Sequence, residues 1–362
     1  MGKRSRLGQD RGVRKVLLAM AAVLLMAGCS GVTSGAPSVT AKSDGANTTI
    51  GAAAPVVCPS TVSTRRGKIQ DSVSFEGLNR TYTVWVPQNY TGTTPLPVIV
   101  NYHGTGGTPD AIDAFSSNLS EKANARGYIV VAPQATANGT TTARWTVPGI
   151  GTEPDDVSFT NYMVDKIASE FCVNPKRVYA TGFSSGGAMT TWVACSDRER
   201  IAAAVPGGGI NLVDPACQRG PIPIFAYHGT ADDIAPFNGL DGNPNPPGTT
   251  PLLVVQPNLV AFFGSVEQSA AAWAKGNGCQ VDATGQAVFV DQQLAPDATL
   301  RVWQGCKAPT QLLLAKGGGH TFPGGTTRLS PTAVNGLGKT VTSVNMADLM
   351  LNWFDTSPQT AG

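Results

Sequence analysis

Two serines stand side by side in Gly182-Phe183-Ser184-Ser185-Gly186-Gly187. A serine hydroxyl is a weak nucleophile at neutral pH and reacts only beside a base. Ser184 has a glycine two positions to either side, the small neighbours that a sharp, strained strand-to-helix turn requires. Centring the turn on Ser185 would put Phe183 where a small residue is needed, so Ser184 is the candidate nucleophile. The base must be a histidine, and the chain has three: His103, His228 and His320. In the chain order serine, acid, histidine, His103 comes too early. His228 follows the serine but precedes the best acid. His320, on the glycine-rich stretch GGGHTFPGG, fits the order. The acid is expected on a loop after a strand, and PIPIFAYHGTADDIAP supplies Asp232, with Asp233 as the local competitor. Its carboxylate would hold the imidazole in one tautomer and stabilise the imidazolium.

An acyl-transfer centre also needs donors for the oxyanion. The backbone N–H of Ser185 is one candidate and that of Thr105, in VNYHGTGG, the other. His103 is expected to support this second loop. Trp145 and Phe183 are candidates to line an aromatic or apolar acyl pocket. Asp156 reads as a helix-start or loop-fixing residue. No CxxC or HxxxH pattern suggests zinc, and no metal or organic cofactor is called for.

These residues need a scaffold. RTYTVWVP alternates like an exposed or edge strand, whereas PLPVIVNYHG and GYIVVAPQ carry apolar cores suited to a sheet buried on both faces. Residues 109–126 read as one helix. Residues 155–171 have helical apolar spacing at Val157, Tyr162, Met163, Ile167 and Phe171, with Asp155 as N-cap. Then follow strand RVYATG, helix GGAMTTWVAC, and strands IAAAVPGG and IPIFAYHG. Ser265 and Gln268 form a capping-box pattern, and VNMADLMLNWF is the last helix. The alternation predicts an α/β fold with a mostly parallel central sheet and helices on both faces. The stretch 238–258, dense in Pro, Gly and Asn, reads as a surface excursion.

The chain has 362 residues. Its start is basic and runs into the 13-residue apolar stretch VLLAMAAVLLMAG, which is short for a membrane span and fits a signal peptide. MAGCS resembles a lipobox, which makes residues 1–28 a lipoprotein-type leader and Cys29 the site of lipidation, with an ordinary secretory signal as the alternative. Residues 29–57 read as a flexible linker and 58–362 as the domain. The whole chain carries a net charge of +2, but six of its Lys and Arg lie in residues 1–28. Without them the chain is mildly acidic, and no basic patch points to nucleic acid. Six cysteines remain beyond Cys29, an even number suited to disulfides in an exported protein. Cys279 with Cys306 is the expected pair, while Cys58, Cys172, Cys195 and Cys217 are left open.

YHGTGG, PDDVSF, FCVNPKRVYATGFSSGGAMT, YHGTADDIAPFNG, AAWAKGNGC and GGGHTFPG occur in this order. Together they resemble the polyhydroxybutyrate depolymerase-like and feruloyl esterase-like family, near carbohydrate esterase family one, across about residues 70–355. The resemblance implies the α/β-hydrolase fold, with Ser184 as nucleophile, Asp232 as acid and His320 as base. It departs from the family at Phe322, where members often have Trp, and at the long 238–258 excursion. The expected activity is ester hydrolysis outside the cytoplasm through an acyl-enzyme. The expected substrates are feruloyl or acetyl esters of plant polysaccharide, or polyhydroxybutyrate-type oligomers. No separate adsorption domain is visible in the sequence, which favours soluble or oligomeric substrates. An acyltransferase, a peptidase and a non-catalytic binding protein on this scaffold are the alternatives.

Overall fold

Three consecutive β-branched and aromatic runs set the centre of a ten-stranded sheet. They are β3 (Leu96–Tyr102), β4 (Ile129–Pro133) and β5 (Val173–Phe183), with almost every side chain of β3 and β4 buried. The computed structural model describes residues 56–137, 142–147, 154–197, 199–215, 220–239, 264–325 and 336–357. The leader, Cys29, nearly all of the linker, Cys217 and the 238–258 excursion beyond residue 239 lie outside them.

The hairpin of β1 (Gly67–Phe75) and β2 (Leu78–Val86) leads the sheet. Its turn residues Glu76 and Gly77 both have positive φ, 51° and 75°, as a type I′ hairpin turn requires. The remaining strands are β6 (Ile201–Gly207), β7 (Ile224–Gly229), β8 (Phe289–Ala295), β9 (Ala298–Trp303) and β10 (Thr310–Ala315). The spatial order is β1-β2-β4-β3-β5-β6-β7-β10-β9-β8. All pairings from β4 through β10 are parallel, and the two flanking hairpins are antiparallel. The mostly parallel sheet expected from the sequence is present. RTYTVWVP is not an edge, however. β2 lies inside the sheet between β1 and β4, and its last five residues are buried.

Helices cover both faces. On one side lie α1 (Pro109–Phe115), α2 (Leu119–Ala125) and α6 (Met346–Thr356); on the other lie α3 (Asp156–Glu170), α4 (Ser185–Ser196) and α5 (Val266–Gly276). The strand period of two divides the core accordingly. Val98, Val100 and Tyr102 of β3 join the α3–α5 layer, and Ile99 joins the opposite one. The expected helix 109–126 is two helices. Ser117 and Asn118, with φ of 61° and 53°, break it. In α3 the buried face runs through Phe159, Met163, Val164 and Ile167, and Tyr162 points outward. Asp155 caps α3 by accepting from the Val157 and Ser158 N–H groups, and both halves of the Ser265–Gln268 capping box form.

Cys58 is bonded to Cys172 and Cys279 to Cys306, the second being the expected pair. Cys195 is also disulfide-bonded.

Candidate active site

β5 ends at Phe183 and α4 begins at Ser185, so Ser184 is the whole connection between them. Its backbone stands at φ 59°, ψ −123°, a region an L-residue rarely enters. Such strain costs roughly 1–3 kcal/mol. The strand and helix on either side offset it, since Val178, Tyr179, Ala188 and Met189 are fully buried and each large apolar side chain contributes roughly 1.5–3 kcal/mol. The glycines explain themselves by close approach. A Cβ on Gly186 would lie 2.1 Å from the Tyr102 carbonyl oxygen, and one on Gly182 would lie 2.5 Å from the Gly186 oxygen. The turn therefore centres on Ser184. Ser185 opens the helix with its side chain buried, and its N–H is in the first turn, where no intrahelical acceptor exists.

His320 and Asp232 come from different loops, after β10 and β7. His320 Nδ1 lies 2.7 Å from Asp232 Oδ2. Since the carboxylate can only accept, Nδ1 carries the proton, and Nε2 is left for the cavity that His320 shares with Ser184. Asp232 Oδ1 accepts from the N–H groups of Ile234 (2.9 Å) and Ala235 (2.8 Å). Burial alone would raise the Asp232 pKa; the His320 charge and hydrogen bonds from His228 and His320 outweigh it and hold the carboxyl well below its usual range. Asp233, the competitor, is exposed. Glycines again bring the loops together. A Cβ on Gly229 would lie 2.2 Å from the Gly319 oxygen, and one on Gly319 would lie 2.2 Å from the Leu337 oxygen.

The loop after β3 lies over Ser184. A Cβ on Gly104 would be 3.4 Å from Ser184 Cβ. Gly106 and Gly107 donate their N–H groups to the Ala143 and Gly104 carbonyls. Thr105, between them and Gly104, lines the cavity. His103 holds the loop from beneath, with Nδ1 2.7 Å from the Gly104 oxygen and Nε2 accepting the Ala135 N–H at 3.1 Å. The acceptor role requires Nε2 to be bare, so this ring is neutral. Burial lowers its pKa to about 4, against the raising effect of the Gly104 bond.

The cavity above Ser184 has a volume of about 380 Å³. Ile112 and Phe115 of α1, with Phe183, Ile234 and Leu337, form its apolar walls. Phe183 therefore stands where the sequence suggested, packed on Phe115 (4.7 Å between centroids) and His320 (4.6 Å). Trp145 does not. Its side chain is fully buried behind the loop, edge-on to Tyr102, with Nε1–H donated to the His103 carbonyl at 2.7 Å. The apolar spot it occupies is core rather than pocket. Phe322 is also buried away from the cavity, against Tyr227. Asp156 fixes the neighbouring segment, accepting from Arg80 (2.6 Å) and from the Thr146 N–H (2.7 Å). Sequence reasoning missed Ile112, Phe115 and Leu337 because each reads as ordinary helix core or loop. It also passed over His228, whose Nε2 lies 3.3 Å from Asp232 Oδ2.

An acetyl xylan esterase from Aspergillus awamori has a similar solved structure, with a TM-score of 0.52 and 17% identity over 79% of this chain and 99% of that one. The chain has the α/β-hydrolase fold. A family model described as the prolyl oligopeptidase family matches residues 114–216 of this chain, the stretch that contains the β5–α4 turn at Ser184. Feruloyl esterase B of Piromyces equi is 32% identical over 67% of the chain and 42% of its own length. The bifunctional acetylxylan esterase/xylanase XynS20E of Neocallimastix patriciarum is 29% identical over 48% of the chain and 24% of its own length. A putative esterase, NocK, of Nocardia uniformis is 28% identical over 69% of the chain and 72% of its own. The chain thus spans less than half the length of the first two of these relatives, and its similarity is to feruloyl and acetylxylan esterases, in keeping with its motifs.

Proposed function

We propose that this α/β-hydrolase is an exported serine esterase acting on carboxylic esters attached to plant polysaccharide, feruloyl or acetyl esters first. The observation that carries the reading is the convergence of the strained Ser184 elbow and the 2.7 Å Asp232–His320 pair on one cavity. Ser184 Oγ attacks the ester carbonyl carbon as His320 Nε2 takes its proton. The carbonyl oxygen becomes an oxyanion and accepts the Thr105 and Ser185 N–H groups, each such donor being worth roughly 3–4 kcal/mol in the transition state. The C–O bond to the alcohol then breaks, and His320 returns the proton to the departing oxygen. Water repeats the sequence on the acyl-enzyme and frees the acid. The walls formed by Ile112, Phe115, Phe183 and Leu337 suit an aromatic acyl group, and the cavity volume lies within the range of small-ligand sites, about 300–1,000 Å³.

The similarities to feruloyl and acetylxylan esterases support the ester reading. The prolyl oligopeptidase-family match keeps a peptidase as the second reading. A panel of methyl ferulate, acetylated xylan, hydroxybutyrate oligomers, short p-nitrophenyl esters and peptide p-nitroanilides, run on residues 58–362 and its Ser184→Ala variant, tests both. Release of ferulate or acetate by the parent protein alone is the expected result. Undiminished ester hydrolysis in the variant would sink the mechanism, and cleavage confined to the anilides would favour the peptidase. Transfer of the acyl group to an added alcohol in place of free acid would mark an acyltransferase. Anchoring through lipid at Cys29 is part of the same proposal, and a Cys29→Ser protein should move from the membrane fraction to the medium.

A further inference from the structure

His228 is the last residue but one of β7, four residues before Asp232, and its ring is fully buried. It does not line the cavity, so it touches no substrate. Its Nε2 lies 2.8 Å from the Ala235 carbonyl oxygen. A carbonyl oxygen only accepts, so the proton is on Nε2. The same nitrogen is 3.3 Å from Asp232 Oδ2, the oxygen that His320 also contacts. Nδ1, the other ring nitrogen, has no hydrogen-bond partner among the described residues.

We propose that His228 is a positioning residue for the Ser184 reaction, its one Nε2–H shared between the Ala235 carbonyl and Asp232 Oδ2 and so holding the carboxylate plane toward His320. The inference rests on the triad read above. Oδ1 is already fixed by the Ile234 and Ala235 N–H groups. That leaves the tilt of the carboxylate about this anchor, and among the described residues the polar contacts to Oδ2 come from the two histidines. One of them, His320, must change its own charge during the reaction. A second donor that does not take part in the proton transfer keeps Oδ2 in place while it does so. The bare Nδ1 supports a role for the opposite nitrogen. A buried, unpaired ring nitrogen is unfavourable, and an apolar side chain packed against Phe237, whose ring lies 6.1 Å away, would fill the site without it.

The test compares His228→Gln, whose amide N–H can reach the position of Nε2, with His228→Met, which has similar length and no donor. Steady-state kinetics use the best ester of the panel. The expected result is a fall in kcat of roughly ten- to a hundredfold for the Met protein with KM nearly unchanged, and a Gln protein within a few-fold of the parent. Equal kcat in the two variants, whether both high or both low, would overturn the proposal. Should the Met protein fail to fold by circular dichroism, His228→Asn takes its place, since its amide falls one methylene short of Oδ2; Gln and Asn proteins of equal kcat would overturn the proposal in the same way. Asp232→Ala runs beside them. If it keeps the parent kcat, the triad itself is wrong; if it loses activity while the His228 proteins are unaffected, only the role of His228 is wrong.

Discussion

Ser184 and Ser185 share a side-chain type and differ in everything that matters to their chemistry. The first holds a backbone strained to positive φ and faces the cavity; the second is helical, with a buried Oγ that lacks a hydrogen-bond partner. Removing an unpaired buried hydroxyl is close to neutral for stability. Ser185→Ala is therefore expected to keep kcat/KM within about threefold, because its backbone N–H is untouched. Ser184→Ala should lose at least about a thousandfold, as when a triad member is removed. Hydrolysis of methyl ferulate by both proteins measures this, and an equally deep loss in the two would show the elbow to be misassigned. At this scale much of the site was legible. Ser184, Asp232 and His320 followed from glycine spacing, a strand-end loop and chain order. Trp145 and His228 did not, for opposite reasons. An aromatic residue near a motif looks the same whether it lines a pocket or supports a loop from behind. A histidine at the end of a buried strand shows its partner only once the following turn brings Asp232 back against it.

The elements carry their own consequences. The loop after β3 depends on a neutral His103, whose bare Nε2 accepts the Ala135 N–H. An unfolded histidine binds its proton near pH 6.5, and the folded one not until about pH 4. The unfolded chain therefore holds more protons in between, and stability falls as pH drops through that window. Between pH 7 and 4.5 the loss is about 2–3 kcal/mol from this ring, and His103→Gln should remove that share of the acid sensitivity. Urea unfolding at the two pH values reads it directly; an unchanged pH dependence in the variant would exclude His103 as the source. Elements were also where the sequence misled most. Periodicity runs unbroken through residues 109–126, yet Ser117 and Asn118 adopt left-handed backbone and split the helix, so that the short α1 can wall the cavity with Ile112 and Phe115. β2 alternates like an edge strand, and only its pairing with β1, a strand of mostly polar residues, makes it internal.

Across the molecule, stability and the proposed active site are anchored at different ends. The Cys58–Cys172 bond ties the chain ahead of β1 to the start of β5, while Ser184 follows the far end of the same strand. It closes a loop of 114 residues, and the Cys279–Cys306 bond one of 27. Chain entropy assigns roughly 4–5 kcal/mol to the first and roughly 3–4 to the second, against a typical total of about 5–15. Replacing Cys58 and Cys172 with Ser should lower the urea midpoint more than replacing Cys279 and Cys306, and both proteins should keep the parent kcat at 25 °C while folded. A lost kcat in folded Cys58→Ser/Cys172→Ser protein would contradict this separation. The contacts among Gly229, Gly319 and Leu337 limit how the proposed site can diversify. The loops that carry Asp232 and His320 meet backbone to backbone, with no room for a side chain to be gained between them. Descendants of this sequence can alter what they accept by exchanging Ile112, Phe115 or the Leu337 side chain. The spacing of the loops themselves is closed to revision by single substitution.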